Sequence, residues 1–100
     1  MHIATMLAQS NDLFLGSPAA GIPLFDDNGD PITGEIQDQM LLWNLGSEVD
    51  QDPGMGPDQA PRQVAGNTGA DDEVDYVRLV DNEMYPAAGD VIRVTVAIAE

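Results

Sequence analysis

The apolar positions of the chain fall into short runs separated by turn-forming residues, a pattern typical of a small β protein. Runs at 2–8 and 13–15 flank the polar segment 9–12, whose Ser, Asn and Asp residues favour a turn. The run at 40–43 has no polar interruption, which predicts a strand buried on more than one side, with Trp43 in the core. No segment shows the apolar spacing of an amphipathic helix. We therefore expect an all-β fold.

A tight hairpin is predicted at 28–29, because Asn-Gly between apolar flanks is a strong hairpin signal. This turn would pair the segment 22–25 with 32–36. The acidic residues at 26–30 also resemble the start of an EF-hand calcium loop, which needs glycine at its sixth position. Pro31 occupies that position, so a solvated hairpin turn is the better interpretation.

The clearest strands are predicted near the end of the chain, at 76–80 and 91–98. A loop carrying Tyr85 and Pro86 is expected between them, at 81–90. Alternate residues of the last strand are apolar and line one face, which predicts one side toward the core and one toward solvent. These apolar residues are Ile92, Val94, Val96 and Ile98.

A long acidic loop is predicted at 44–73. This segment contains five glycines, three prolines and seven acidic residues, without sustained periodicity. Loops of this length in compact domains are usually functional or flexible. A chain of 100 residues has room for one hydrophobic core. We therefore predict a single domain over 1–100.

Charge is the most unusual property of the chain, since 18 acidic residues face three arginines and no lysine, for a net charge of -15. Three dispersed arginines offer no basic footprint for phosphate, which excludes nucleic acid as a partner. So many carboxylates are tolerated when cations neutralise some of them, in a salty medium, or when a basic partner binds. The composition leaves all three of these possibilities open.

Neither a membrane segment nor an export signal is recognisable in the sequence. No apolar run approaches the roughly 18 residues that span a bilayer. The first residues lack the basic flank and the apolar stretch of a signal peptide. If the protein is secreted, we expect its signal peptide to lie outside this numbering. Cysteine is absent, so disulfides and thiolate chemistry do not contribute.

Catalysis has little support in the sequence. The only histidine is His2, and neither a G-x-S-x-G nor an H-E-x-x-H motif occurs. A carboxylate pair of the glycosidase kind is an alternative, although no spacing among the acidic residues marks one. We therefore predict a protein that is not an enzyme.

Oxygen-bearing side chains follow the apolar strand predicted at 40–43. They are Asn44, Glu48 and Asp50. Calcium takes six to eight oxygen ligands, often from loops. Taken alone, the same pattern also fits a solvated acidic loop.

Three motifs together resemble the second half of the spondin domain, which occurs in F-spondin, in mindin and in many secreted bacterial proteins. They are IATMLAQSNDLFLG at 3–16, WNLGSE at 43–48 and VIRVTV at 91–96, in the order found in the family. The bacterial members are the closer match. The resemblance implies an antiparallel β-sandwich similar to C2 domains, with one calcium site between two turns.

Carried over residue by residue, the resemblance places calcium ligands at Asp12, Asn44 and Glu48. The family usually has Asp at the position of Asn44, whose amide offers an oxygen without a charge. Asp50 lies close enough in the sequence to compensate, which is an inference from this chain and not part of the family pattern. The predicted metal ligands are therefore Asp12, Asn44, Glu48 and Asp50, and the predicted ion is Ca²⁺.

The length of the chain adds an expectation about partners. A complete spondin domain is longer, so either the chain is a fragment or another chain completes the sheet by homo-oligomerisation or strand sharing. The expected function is non-enzymatic binding or structural support, calcium-stabilised, secreted or at the cell surface, in adhesion or matrix assembly. The alternative is a self-assembling subunit of a filament or shell that needs no small ligand.

Overall fold

The computed structural model describes residues 1–66, 68–72, 74–80 and 85–99. It is mostly strand, with one four-stranded antiparallel sheet in the order β1-β2-β4-β5 and a two-stranded sheet of β3 and β6. This content is consistent with the predicted all-β fold. The elements are β1 (Ala4–Met6), β2 (Leu13–Gly16), β3 (Gly34–Glu35), β4 (Leu41–Asn44), β5 (Arg78–Leu79), α1 (Ala88–Val91) and β6 (Thr95–Val96), with 3-10 turns at Gln37–Gln39 and Ala60–Arg62.

A turn held by Ser10 connects β1 and β2. The Ser10 hydroxyl donates to the carbonyl oxygen of Leu7 at 2.6 Å and accepts the backbone N–H of Leu13 at 3.1 Å. Ser10 is fully buried, so its side chain closes the turn from within. The turn predicted at 9–12 is therefore confirmed, and β1 is shorter than the apolar run that predicted it.

One face of the four-stranded sheet forms the hydrophobic core. Leu13 and Leu15 of β2 and Leu42 of β4 are buried there, because residues two apart on a strand share a face. Apolar side chains around α1 and β6 pack against the same core. The remaining buried core residues are Ile22, Ile36, Met40, Tyr85 and Ala88.

Trp43 lies on the opposite face of the sheet, so the prediction that it belongs to the core is wrong. Leu42 and Asn44 are the buried residues of β4, and side chains alternate along a strand, so Trp43 points the other way. Its ring stacks on Phe14 of β2 with centroids 6.3 Å apart, and its indole N–H donates to the Ser17 carbonyl at 3.2 Å. β4 is thus buried on one face only.

An apolar row crosses this outer face of the four-stranded sheet. The register pairs Met6 with Phe14, Phe14 with Trp43, and Trp43 with Leu79, and directly paired residues share a face. Met6 is 52% exposed and Leu79 is 49% exposed. We call these four residues the outer row. Exposed apolar surface of this kind is typical of interaction sites when it is contiguous.

The turn predicted at 28–29 is present, but the segments beside it do not continue as a hairpin. Oδ1 of Asp26 accepts the N–H groups of Asn28 and Asp30 at 2.9 and 3.0 Å. One bridge pairs Phe25 with Pro31, and beyond it β3 pairs with β6 instead. The Asp26 carboxylate is therefore used within the turn, in agreement with the solvated-turn interpretation.

The strand predicted at 91–98 is wrong in its first part, because α1 extends to Val91 and only β6 is strand. The apolar alternation nevertheless indicates which side chains of this segment pack against the core. Alternate residues from Ile92 to Val96 pack partly buried against the core, whereas Ile98 is 65% exposed. The loop predicted at 81–90 contains α1 in its described part, and 81–84 lie outside the described residues.

Candidate cation site

Two turns meet at the end of the four-stranded sheet where β2 begins and β4 ends. The register pairs Leu13 with Asn44, which places Asp12 beside the turn after β4. Oδ2 of Asp12 accepts the backbone N–H groups of Ser47 and Glu48 at 2.7 and 2.9 Å, and the Ser47 hydroxyl at 3.1 Å. Asp12 is only 4% exposed. Its carboxylate thus joins the two turns by direct hydrogen bonds.

Asn44 is buried and uses both ends of its amide within the protein. Its Oδ1 accepts the backbone N–H of Gly46 at 2.7 Å, which closes a local turn. Its Nδ2 donates to both carboxylate oxygens of Asp50, at 2.9 and 3.1 Å. Asn44 therefore presents hydrogens, and not its oxygen, toward the neighbouring carboxylate.

Glu48 is buried, and its carboxylate faces the later part of the long loop. Oε2 accepts the side-chain amide of Gln63 at 2.6 Å, and Oε1 accepts the N–H of Gly69 at 3.4 Å. An antiparallel bridge to Asp71 holds the Glu48 backbone. Glu48 thus reaches Asp12 through its backbone N–H, while its carboxylate binds other partners.

The pKa of Asp50 is affected by the negative charges that lie close together in this part of the fold. Burial, and then the charge of Asp12, raise the pKa of Asp50, whereas the charge of Arg78 acts to lower it. Tyr85 experiences the same charges, since burial followed by Asp50 and Asp12 raises its pKa to about 12. Arg78 forms a 2.6 Å ion pair with Asp72. Because the charge of Asp12 raises the pKa of Asp50, these two carboxylates lie close enough to repel each other.

Three buried side-chain oxygens lack a hydrogen-bond partner among the described residues: Oδ1 of Asn11, Oδ1 of Asp12 and Oε1 of Gln59. Leaving such an atom unpaired costs about 1–3 kcal/mol, and more when the group is charged. Leaving the Asp12 oxygen unpaired costs the most of the three, because this oxygen belongs to a carboxylate. A cation beside it would satisfy this oxygen and weaken the repulsion with Asp50.

The predicted ligands fit a calcium ion in part. In the described portion of the chain, no group of three or more His, Cys, Asp or Glu side chains is placed to hold a metal ion. Asp12 fits through its unpaired oxygen, and Asp50 through a carboxylate that Asn44 holds in place. Asn44 and Glu48 direct their side chains to protein partners. Backbone carbonyls and water would have to supply most of the six to eight oxygens that calcium takes.

The segment predicted as a long loop at 44–73 is folded around glutamines in its described part. Gln59 is fully buried and donates to the Asp52 carbonyl. Gln51 binds Asp58 through both ends of its amide, at 2.9 and 3.0 Å. No periodic pattern marks such residues in a sequence. The one available signal is the presence of three uncharged glutamines in a segment otherwise rich in acids.

The single histidine lies near Ser17, at the end of β2 away from Asp12. Nδ1 of His2 is 3.5 Å from the Ser17 hydroxyl, which also accepts the backbone N–H of Ile3 at 3.3 Å. These contacts attach the first residues of the chain to the sheet.

Fold and site together define a small, acidic, mostly β protein with a buried polar junction between two turns. Comparison with known proteins finds no family model, no curated protein and no solved structure that matches the chain. The spondin resemblance therefore rests on the three sequence motifs. None of the helices that the structure describes is long and apolar enough to cross a membrane.

Proposed function

We propose that this is a non-enzymatic binding and structural protein, stabilised by calcium, that acts in adhesion or in matrix or surface assembly. The observation that carries the proposal is the buried Oδ1 of Asp12, which has no partner among the described residues and belongs to a carboxylate that repels Asp50. In a chain with a net charge of -15, neutralising this buried carboxylate is favourable. The secreted or cell-surface location rests on the spondin resemblance.

In this proposal Asp12 and Asp50 are the calcium ligands, and Asn44 and Glu48 position them. Asn44 holds Asp50 with two hydrogen bonds from its amide nitrogen, and Glu48 holds Asp12 with its backbone N–H. A bound cation replaces the repulsion between two carboxylates with attraction to a shared charge. Because the ion binds the folded chain, it shifts the folding equilibrium toward that state.

The fold proposed with this function is an antiparallel β-sandwich of the C2-like spondin type. Ile36, next to β3, and Val96 of β6 pack on the same core as Leu13 and Leu42 of the four-stranded sheet. Two antiparallel sheets that share one core between them are the basis of sandwich architecture. This shared core supports the proposal.

Thermal unfolding with calcium and with chelator tests the calcium proposal. The parent protein is expected to unfold several degrees higher in excess Ca²⁺, because a ligand at 100 times its dissociation constant adds about 2.7 kcal/mol. Mg²⁺ at the same concentration controls for screening of the net charge. An unfolding midpoint that is the same in calcium and in chelator rules out a stabilising calcium site.

Matched variants locate the ion. Asp12→Asn and Asp50→Asn are expected to lose the calcium shift, because each removes a proposed ligand charge. Asp27→Asn removes the same charge from an exposed position in the hairpin turn and is expected to keep the shift. A shift that survives in both ligand variants would place the ion elsewhere.

A self-assembling subunit of a filament or shell, without a small ligand, is the second candidate. The outer row favours it, because a second copy or a strand-sharing partner chain would cover this apolar surface. All three residues of the edge strand β1 are exposed as well, and an exposed edge accepts a further strand. The dependence of molecular mass on concentration separates the two candidates.

A further inference from the structure

A cavity beside the Asp12 carboxylate has an apolar wall that calcium binding does not explain. Its volume is about 520 Å³, which lies within the roughly 300–1,000 Å³ of small-molecule sites. Met6, Phe14 and Leu45 form what we call the apolar wall. A hydrated ion gains nothing from such a surface, so the cavity as a whole suits a ligand with an apolar body.

The cavity is also lined by Asn11, Asp12 and Glu48, which we call the acceptor end. These side chains are 6%, 4% and 2% exposed. Asn11 donates its amide nitrogen to the Asp58 carbonyl at 3.2 Å, and its Oδ1 is unpaired in the described structure, like Oδ1 of Asp12. Oε1 of Glu48 accepts only a long hydrogen bond of 3.4 Å, from Gly69, among those described. The acceptor end therefore has unused capacity and carries negative charge.

We propose that this cavity binds a small organic amine, with a protonated primary ammonium group at the acceptor end and its apolar body along the apolar wall. An ammonium group has three donors and no acceptor, which suits Oδ1 of Asn11 and Oδ1 of Asp12, two buried oxygens that lack donors in the described structure. A carboxylate ligand would be repelled there, and an alcohol offers one neutral donor. The net charge of -15 also attracts cations over a longer range.

This inference goes beyond the proposed function and does not depend on it. Calcium and the amine share Asp12, so the two ligands compete for its unpaired oxygen. Amine binding is therefore measured in the presence of a chelator. If the protein binds the amine but calcium does not raise its unfolding midpoint, only the calcium proposal is contradicted. If calcium raises the unfolding midpoint but the amine does not bind, only the amine site is contradicted.

Calorimetric titration with three probes of similar apolar body tests the ligand class. They are 2-phenylethylamine, 2-phenylethanol and 3-phenylpropionate, at low ionic strength. The amine is expected to bind saturably and at least about tenfold more tightly than the alcohol, since a charge-assisted hydrogen bond is stronger than a neutral one. The carboxylate is expected not to bind. Equal affinity for amine and alcohol, or no saturable binding of the amine in the millimolar range, overturns the proposal.

Two methionine variants test the location of the site. Met6→Ala removes part of the apolar wall from a half-exposed position, and Met55→Ala removes the same side chain from a 79% exposed position outside the cavity. Met6→Ala is expected to weaken amine binding several-fold, and Met55→Ala to leave it unchanged. Retention of full affinity in Met6→Ala, or equal losses in both variants, overturns the location.

The charge of the acceptor end is tested with Glu48→Gln. This variant keeps an oxygen that accepts the Gln63 amide and removes one carboxylate charge. It is expected to weaken binding of the amine about tenfold while leaving the alcohol unaffected. Unchanged amine affinity in a folded Glu48→Gln overturns the role of this carboxylate, and the methionine pair decides the location if Glu48→Gln does not fold.

Discussion

At the scale of single residues, the junction between the two turns depends on where each carboxylate finds a donor. Oδ2 of Asp12 receives donors from Ser47 and Glu48, and both carboxylate oxygens of Asp50 accept from the Asn44 amide nitrogen. Oδ1 of Asp12 receives none from the described residues. The junction is therefore held together by neutral donors and retains an excess of negative charge.

Protein stability is expected to depend on pH through Asp50. Its pKa is raised in the folded protein above the ordinary value of 3.8, so the folded chain holds this proton more tightly than the unfolded chain does. The contribution of Asp50 to the unfolding free energy therefore falls as pH rises from 3.8 through the raised pKa, and it remains lower above that pKa. Urea unfolding of the parent and of Asp50→Asn in chelator, near pH 3 and near pH 7, measures this change.

Between pH 3 and pH 7 the unfolding free energy of Asp50→Asn is expected to increase relative to that of the parent. The gain should be less than about 1 kcal/mol, because Asp50 is partly exposed and solvent screens its charge. Asp27→Asn serves as the control for the change in net charge and is expected to show a smaller gain. A difference between parent and Asp50→Asn that is independent of pH would contradict the raised pKa of Asp50, which burial and then the charge of Asp12 cause.

At the scale of elements, the turn after β4 is shaped by Gly46. Its φ of 78° lies in the left-handed region, which favours glycine. A Cβ atom at this position would lie 2.5 Å from the Tyr76 carbonyl oxygen and 2.8 Å from that of Val74. The turn thus packs closely on the backbone that leads into β5, and this contact fixes the segment that carries Asn44 and Asp50.

Gly46→Ala is expected to destabilise the protein by about 2–4 kcal/mol, through a strained φ together with a clash against backbone. Gly29→Ala is the matched control, because Gly29 has a φ of 81° and nothing within 4 Å of the added Cβ. It is expected to cost about 1–2 kcal/mol from the backbone conformation alone. Urea unfolding measures both losses, and equal losses would show that the contact with Tyr76 is unimportant.

The strands near the end of the chain show how packing overrides local preference. The apolar alternation at 91–98 favours a strand, yet α1 occupies its beginning and rests on the 3-10 turn Gln37–Gln39. An added Cβ at Gly89 would lie 3.2 Å from the Gln37 carbonyl oxygen, so glycine permits this close approach. The run at 76–80 likewise retains only β5 as strand. The contact of α1 with the distant turn Gln37–Gln39 decides where the last strand begins.

At the scale of the whole molecule, an uncharged apolar row lies on the surface of a chain whose net charge is -15. The outer row faces away from the core, and Met6 and Leu79 at its two ends are half-exposed. Burial of this surface favours association, whereas the net charge opposes it. Salt screens the repulsion and leaves the apolar gain in place.

Light scattering over a range of concentrations is expected to show self-association that increases with salt. Leu79→Thr is expected to shift association to several-fold higher concentration, because it removes apolar surface from the outer row. Val64→Thr is the control, since Val64 is 97% exposed and lies outside the outer row. A parent that remains monomeric at every concentration and salt level contradicts association through the outer row and removes the assembly candidate.

Features that depend on neighbours within a few residues could be predicted from the amino-acid sequence. The turns at 9–12 and 28–29 follow from local side-chain and glycine chemistry, and the spacing at 92–96 sets which residues share a face. The excess of carboxylates is likewise a property of composition. Each of these features follows from short-range sterics or from the amino-acid composition, so no tertiary contact is needed to predict it.

The face of each strand that meets the core, and the partner of each polar atom, depend on the packing of distant segments and could not be predicted from the sequence. Trp43 lies on the outer face because Leu42 and Asn44 are the residues of β4 that face inward. The Asn44 amide presents its hydrogens to Asp50, and Asp12 binds backbone groups 35 and 36 residues away. A period of two fixes which residues share a face but not which face is buried, and hydrogen-bond partners this distant leave no local pattern.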